Sequence, residues 1–250
     1  MITLEIDSMN HHLQEQHPNL HSKKLKCLIY GGLDGIITTF AIISSCFGAD
    51  LSIKTVLILG LSNVIADALS MGLGEYISAD LERDYIKSEL DKETYEYDNN
   101  LEEEKDEMIT LLSTKDKIDQ SDSITIVNTM AKYKLPFLEF MLKKELDLEL
   151  PEDRKNIIKG SLTTFFSFII FGLIPLIPYL IMFFINKSEN TNTSVFLISY
   201  GCSIFSVLLL GYLYINKTKQ SIFYLFKFAI SATLAAGIAF STGYFLEMLL

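Results

Sequence analysis

Five stretches of this chain are apolar and long enough to cross a lipid bilayer, and no other feature of the sequence restricts the fold so far. They cover residues 27–48, 55–77, 160–184, 194–215 and 228–246, each 19 to 25 residues long, where about 20 residues of helix span the hydrocarbon core. Helices of a soluble protein need only one apolar face, so five full-length blocks joined by short polar links do not suit one. The expected fold is an all-α membrane protein with five transmembrane helices. The opening residues MITLEIDSMNHHLQEQ lack the apolar centre of a cleavable signal, which makes the first span its own targeting signal.

Charge adds a second feature. Acids outnumber bases 31 to 21, and residues 82–155 alone hold 21 acids against 12 bases, nine of the ten excess negative charges. The chain therefore reads as four segments. Residues 1–26 form a disordered cytosolic tail, 27–80 the first two spans, 81–155 an acidic, helical, cytosolic metal-binding insertion between spans two and three, and 156–250 the last three spans. Lysine placement sets the orientation. Lys23, Lys24 and Lys26 precede the first span, Arg154, Lys155 and Lys159 precede the third, and Lys217, Lys219 and Lys227 lie around the join of the fourth and fifth. The links 49–54 and 186–193 carry one lysine each. The positive-inside rule then puts the N-terminus and the insertion in the cytosol and the C-terminus on the other side.

Other residues are less informative. The sequons at Asn186 and Asn192 fall in a far-side link too short for modification. Cys27, Cys46 and Cys202 lie in or beside spans without paired spacing and read as small apolar fillers. The histidines His11, His12, His17 and His21 belong to the polar tail rather than to a metal-sampling site. The acid excess gives no surface for nucleic acid.

The second span reads ILGLSNVIADALSMGLGEYIS and places Asn63, Asp67, Met71 and Glu75 four residues apart. Each step of four turns a helix by about 400°, so the four residues share one stripe roughly 120° wide. A carboxylate near mid-bilayer costs at least about 2.5 kcal/mol, so the stripe faces another helix or a wet path rather than lipid. The first span holds Asp34 between Gly31 and Gly35, with Thr38 one turn on. The two glycines form a small-xxx-small pair that admits a second helix closely, as do Ser70, Gly74 and Ser78 in the second span. Three intramembrane acids without a base repel each other when ionised, and a cation or protons between them relieves that. Carboxylates alone suit Mg²⁺ or Ca²⁺; the thioether of Met71 moves the preference toward a first-row transition metal.

The helical pattern continues past Ser78 into the insertion, with a break expected at Asp98-Asn99-Asn100. Glu93 and Glu96 form an E-x-x-E pair before the break, and Glu104 and Glu107 form another after it. A third helical segment, PFLEFMLKKELDLELP, carries Met141 and Glu145 at i and i+4. Such pairs lie on one side of a helix, and three helices folded together bring these groups to bound metal. A single E-x-x-E is commonly a solvated face; the recurrence with methionine is what favours a metal site.

The stretches LDGIITTFAIISSCFGA, ADALSMGLGEYISADLERDY and FLEFMLKKELDLE together resemble the vacuolar iron transporter family of plants, fungi and protists. The resemblance covers nearly all of the chain after Lys24. It implies five spans per subunit and a homodimer whose path runs between subunits, lined by the first two spans. It also implies Fe²⁺ import from the cytosol into an acidic organelle, such as a vacuole, in exchange for protons, serving iron homeostasis and detoxification. By the same resemblance Asp34 and Met71 are intramembrane path residues, and Glu93, Glu96, Glu104, Glu107, Met141 and Glu145 are ligands of the insertion. Two positions depart from the family pattern. Asn63 and Asp67 stand where glutamate and glycine are frequent, which leaves Asp67 or Glu75 as the proton carrier. Leu142 stands where a second methionine often follows.

No prosthetic group is expected; the bound cations are the cargo, Fe²⁺ or a related ion such as Mn²⁺ or Zn²⁺. The partners are then protons, divalent metal, lipid and a second copy of the chain. A carrier mainly for Mn²⁺ is the nearest alternative. A di-metal carboxylate oxidase is disfavoured, because such enzymes use Glu-x-x-His pairs and no histidine follows His21.

Overall fold

The structure, a computed structural model, describes residues 19–186, 193–218 and 223–249. The expectations for His11, His12, His17 and the second sequon at Asn192 fall outside those residues. Among the described residues every regular element is a helix: α1 (Asn19–Gly48), α2 (Ile53–Asn99), α3 (Leu101–Thr114), α4 (Gln120–Met130), α5 (Lys134–Glu145), α6 (Arg154–Leu173), a 3₁₀ turn (Ile174–Leu176), α7 (Ile177–Asn186), α8 (Thr193–Thr218) and α9 (Phe223–Leu249). Among the described residues five segments are long and apolar enough to cross a membrane, and they contain the five blocks read from the sequence. Helix α1 starts at Asn19, so residues 19–26 of the segment read as a disordered tail are helical.

Helix α2 has 47 residues, roughly 70 Å at 1.5 Å per residue, more than twice the hydrocarbon thickness. Its first half is apolar and its second half is charged. The third span is broken where the hydropathy is uniform. Pro175 and Pro178 lack an N–H, so the α6 ladder cannot run through them; it tightens into the 3₁₀ turn and resumes as α7. Ser199 Oγ on α8 donates to the Pro175 carbonyl at 2.7 Å and satisfies an acceptor at the break.

The chain divides into two compact units, one formed by residues up to Glu75 with Ile158 onward, the other by Tyr76–Ile157. In the first unit α1 packs against α8 and α9. Its core includes Phe40, Ile43, Val56, Val64, Leu176 and Tyr179. The glycine pair of α1 admits a helix as expected, and that helix is α6. A Cβ on Gly31 would lie 2.6 Å from the Thr164 carbonyl oxygen, and one on Gly35 would lie 2.5 Å from that of Phe168 and 3.1 Å from the Gly172 nitrogen. These are backbone atoms that cannot swing away. Gly35→Ala is therefore expected to destabilise the protein by about 1–3 kcal/mol, a fall of several degrees in Tm in detergent. Gly201→Ala is the control: its Cβ meets nothing within 4 Å, and its Tm should match the wild type.

In the second unit α3, α4 and α5 pack together around Met108, Leu112, Val127, Phe137, Leu138 and Met141. The break between α2 and α3 falls where expected, but the asparagine side chain makes no cap. The Asn100 carbonyl instead accepts from the nitrogens of Glu103 and Glu104 at 2.9 and 3.2 Å, and Glu102, Glu103 and Glu104 complement the helix dipole. Helix α4 was not foreseen. Its β-branched run Ile124-Thr125-Ile126-Val127 has weak helix propensity, and tertiary burial of Ser123 and Val127 overrides it. The signal that marks it is Asp119, whose carboxylate accepts from the Ser121 nitrogen at 3.0 Å as an N-cap.

Candidate functional site

Two groups of polar side chains stand out, one in each unit. In the first, Asn63, Asp67 and Met71 on α2 are half-buried and Glu75 is exposed; Asp34 on α1 is also half-buried. Asn63 Nδ2 donates to Asp67 Oδ2 at 2.5 Å, so the amide orients that carboxylate, and Asp67 interacts electrostatically with Asp34 across the α1–α2 pair. The structure thus brings Asp34, Asp67 and Asn63 into one cluster. Thr38 is placed differently from the others: its hydroxyl donates to the Asp34 main-chain oxygen at 2.7 Å, which spends it on its own helix. Glu75 meets a group the sequence reading had set aside. Cys27 Sγ lies 3.9 Å from Glu75 Oε1, a pairing across 48 residues that spacing cannot reveal.

Beside the polar stripe, one position earlier in each turn, Ser62, Ala66, Ser70, Gly74 and Ser78 are exposed. They form a ridge of small residues along α2 that a second helix can approach closely.

In the second unit the carboxylates of Glu93, Glu96 and Glu104 form one triad, with an oxygen of each within 4.8 Å of the others, and Glu104, Glu107 and Glu145 form a second. Glu104 is common to both, so α2, α3 and α5 each supply acids to one five-carboxylate cluster. Tyr97 holds this arrangement: its hydroxyl donates to the Ala131 carbonyl at 2.8 Å and its ring packs on Phe137 at 5.8 Å. Lys134 pairs with Asp98 beside it. Met141 lies one turn before Glu145, wholly buried in the apolar core. Met108, one turn after Glu104, is buried in the same core. This second thioether was missed, although Glu104 and Met108 repeat the four-residue spacing of Met141 and Glu145.

Among the described residues the cluster has no basic ion-pair partner. The lysines that make ion pairs here do so with Glu89, Glu102, Asp98, Asp147 and Asp116, none of them in the cluster. Glu93 and Glu104 are 5% and 7% exposed, and Glu93 Oε2 is buried without a hydrogen-bond partner. Burial, followed by repulsion from Glu145, Glu96 and Glu104, pushes the Glu93 carboxyl up to about 7. Burial, followed by Glu96, Glu107 and Glu145, does the same to Glu104. Glu145 is raised as well, by burial and then by Glu107 and Glu96. Crowded, desolvated carboxylates are stable only with protons or a cation among them. An all-oxygen donor set of this kind suits a divalent metal, while Met108 and Met141 lie in the apolar core beneath it.

The sequence profile of the VIT family matches residues 25–244. A protein named vacuolar iron transporter from Toxoplasma gondii is 36% identical over 233 residues, covering 90% of this chain and 76% of its own length. One of the same name from Plasmodium falciparum is 35% identical, covering 88% and 81%. Another from Centaurea cyanus is 30% identical, covering 83% and 82%.

Proposed function

The chain belongs to the VIT family, and from that premise we propose that it carries Fe²⁺ from the cytosol into an acidic organelle in exchange for protons. The observation that carries this reading is the pairing of two base-free acid clusters, one among the spanning helices and one in the helical insertion. Fe²⁺ collects at Glu93, Glu96, Glu104, Glu107 and Glu145, with Met141 as a softer neighbour, on the cytosolic side. It then passes to Asp34 and Met71. Protons from the acidic side compete for Asp34 and Asp67 and release the metal. Asn63 orients Asp67, and Glu75 guards the cytosolic end of the stripe.

In this reading the working form is a homodimer with the path between subunits. The support is energetic: Asp67 and Glu75 cannot face lipid, and the small-residue ridge beside them is open to a second α2. A carrier whose main cargo is Mn²⁺ uses the same donors. Catalysis has no support here, since the relatives are named as transporters.

Uptake by the purified protein in liposomes tests the reading. Fe²⁺ entry should rise several-fold when the lumen is at pH 5.5 and the outside at pH 7.5, with protons leaving as metal enters. Uptake indifferent to the gradient contradicts antiport, and preference for Mn²⁺ over Fe²⁺ favours the alternative.

A further inference from the structure

A cavity of about 550 Å³ lies at the end of the first unit's helices opposite Glu75, lined by Ser45 and Cys46 of α1, Leu59 and Asn63 of α2, and Gly243 and Glu247 of α9, among others. We propose that it is the vestibule through which the divalent cation leaves, with Glu247 as the carboxylate that draws the ion out.

Three observations carry this. First, Asn63 belongs both to the cavity wall and to the Asp34–Asp67 cluster, through its 2.5 Å bond to Asp67. The cavity therefore opens one helical turn from the intramembrane acids.

Second, the position of Glu247 is unfavourable for the helix that bears it. It is the only acid in α9 and sits in its last turn, where the helix dipole disfavours negative charge. The neighbours Phe245, Leu246, Met248 and Leu249 are more than half exposed, so the surroundings are apolar. Glu247 nevertheless follows Gly243 by four residues, which puts both on one face of α9. Gly243 is where α9 touches the α1 backbone at Ser45. That contact turns Glu247 toward the end of α1 and into the cavity.

Third, α1 ends at Gly48 and α9 at Leu249, against the one N-terminus of α2 at Ile53. Two helix C-termini therefore outnumber one N-terminus at the cavity, and the surplus of partial negative charge adds to that of Glu247. A cavity of this size has room for about 18 waters at about 30 Å³ each, with Ser45, Asn63 and Glu247 as their polar partners in a wall otherwise mostly apolar, including Ile42, Leu51, Leu59 and Leu246. A cation can rehydrate there with one carboxylate beside it, as release requires, rather than bind through a full ligand set.

The inference rests on the transport reading above, and its test separates the two. Leu59 is exposed to the cavity, and Leu59→Cys is made with Cys27, Cys46 and Cys202 replaced by alanine. A charged methanethiosulfonate reagent is added from the side opposite the insertion, with and without Mn²⁺, which binds thiolate weakly. Cys at 59 should react, Mn²⁺ should slow the reaction several-fold, and the slowing should vanish with Glu247→Gln and persist with Glu247→Asp. Failure of the thiol to react, or protection unchanged in Glu247→Gln, overturns the proposal. In Fe²⁺ uptake, Glu247→Gln should lower the maximal rate at least fivefold and leave the KM for cytosolic Fe²⁺ in place; a changed KM at an unchanged maximal rate overturns it as well. If the wild type carries no Fe²⁺ while Mn²⁺ protection behaves as described, the cavity site stands and the transport reading falls.

Discussion

Asp34→Asn is expected to reduce metal uptake into proteoliposomes to the level of empty vesicles while the protein stays folded. The substitution keeps the shape and polarity of the side chain and removes its charge. Packing around it is set by Gly31 and Gly35 against α6, which the change does not touch. The fold loses no partner either, because the group acting on Asp34 is another carboxylate, Asp67. The cation, by contrast, loses a unit negative charge at the point where it has shed much of its water. At about 4 Å and an effective dielectric near 20, that charge is worth about 8 kcal/mol to a divalent ion, at most about six orders of magnitude in rate. The Tm should stay level or rise slightly as the repulsion disappears. Asp67→Asn should cost less, since Asn63 remains beside it to hold the cation's water. Flux above a tenth of wild type in Asp34→Asn would contradict an obligatory role.

What the sequence conveyed about this molecule follows a physical division. Spans were legible because twenty apolar residues have few other uses, and α2 continued into the insertion as its unbroken periodicity implied. The broken third span was hidden, because hydropathy registers Pro175 and Pro178 as mildly apolar and not as missing donors. Helix α4 was hidden because burial, not propensity, stabilises Ile124–Val127. The acid cluster was legible in its parts: Glu93/Glu96 and Glu104/Glu107 announce themselves by spacing. That Glu104 belongs to both triads depends on how α3 lies against α2 and α5, which no local pattern encodes. Cys27 beside Glu75, and Glu247 lining one cavity with Asn63, join distant segments, and each residue looked ordinary in its own neighbourhood.

The acid cluster of the insertion should bind divalent metal about 100-fold more weakly at pH 6 than at pH 8. In the folded protein Glu93 and Glu104 titrate at about 7, above the ordinary carboxylate value near 4.3. Folding thus raises their proton affinity, so their contribution to stability is full below the ordinary value and is lost as pH rises through 7. Without metal the insertion should loosen between pH 5 and 8, seen as faster hydrogen exchange in α3 and α5 of the full chain. A cation supplies at pH 8 the positive charge that protons supply at pH 5, and each binding event must expel those protons. One unit below 7 each carboxyl is about nine-tenths protonated, which costs roughly tenfold per group and about 100-fold for two. Calorimetry with Mn²⁺ at the two pH values measures this directly. Glu93→Gln with Glu104→Gln should abolish the tight binding, flatten its pH dependence and slow hydrogen exchange of the metal-free protein at pH 8, because buried repulsion is removed. Equal affinity at pH 6 and pH 8 in the wild type would mean that protons and metal do not share these oxygens. The insertion's cluster would then have no part in releasing or accepting metal by exchange.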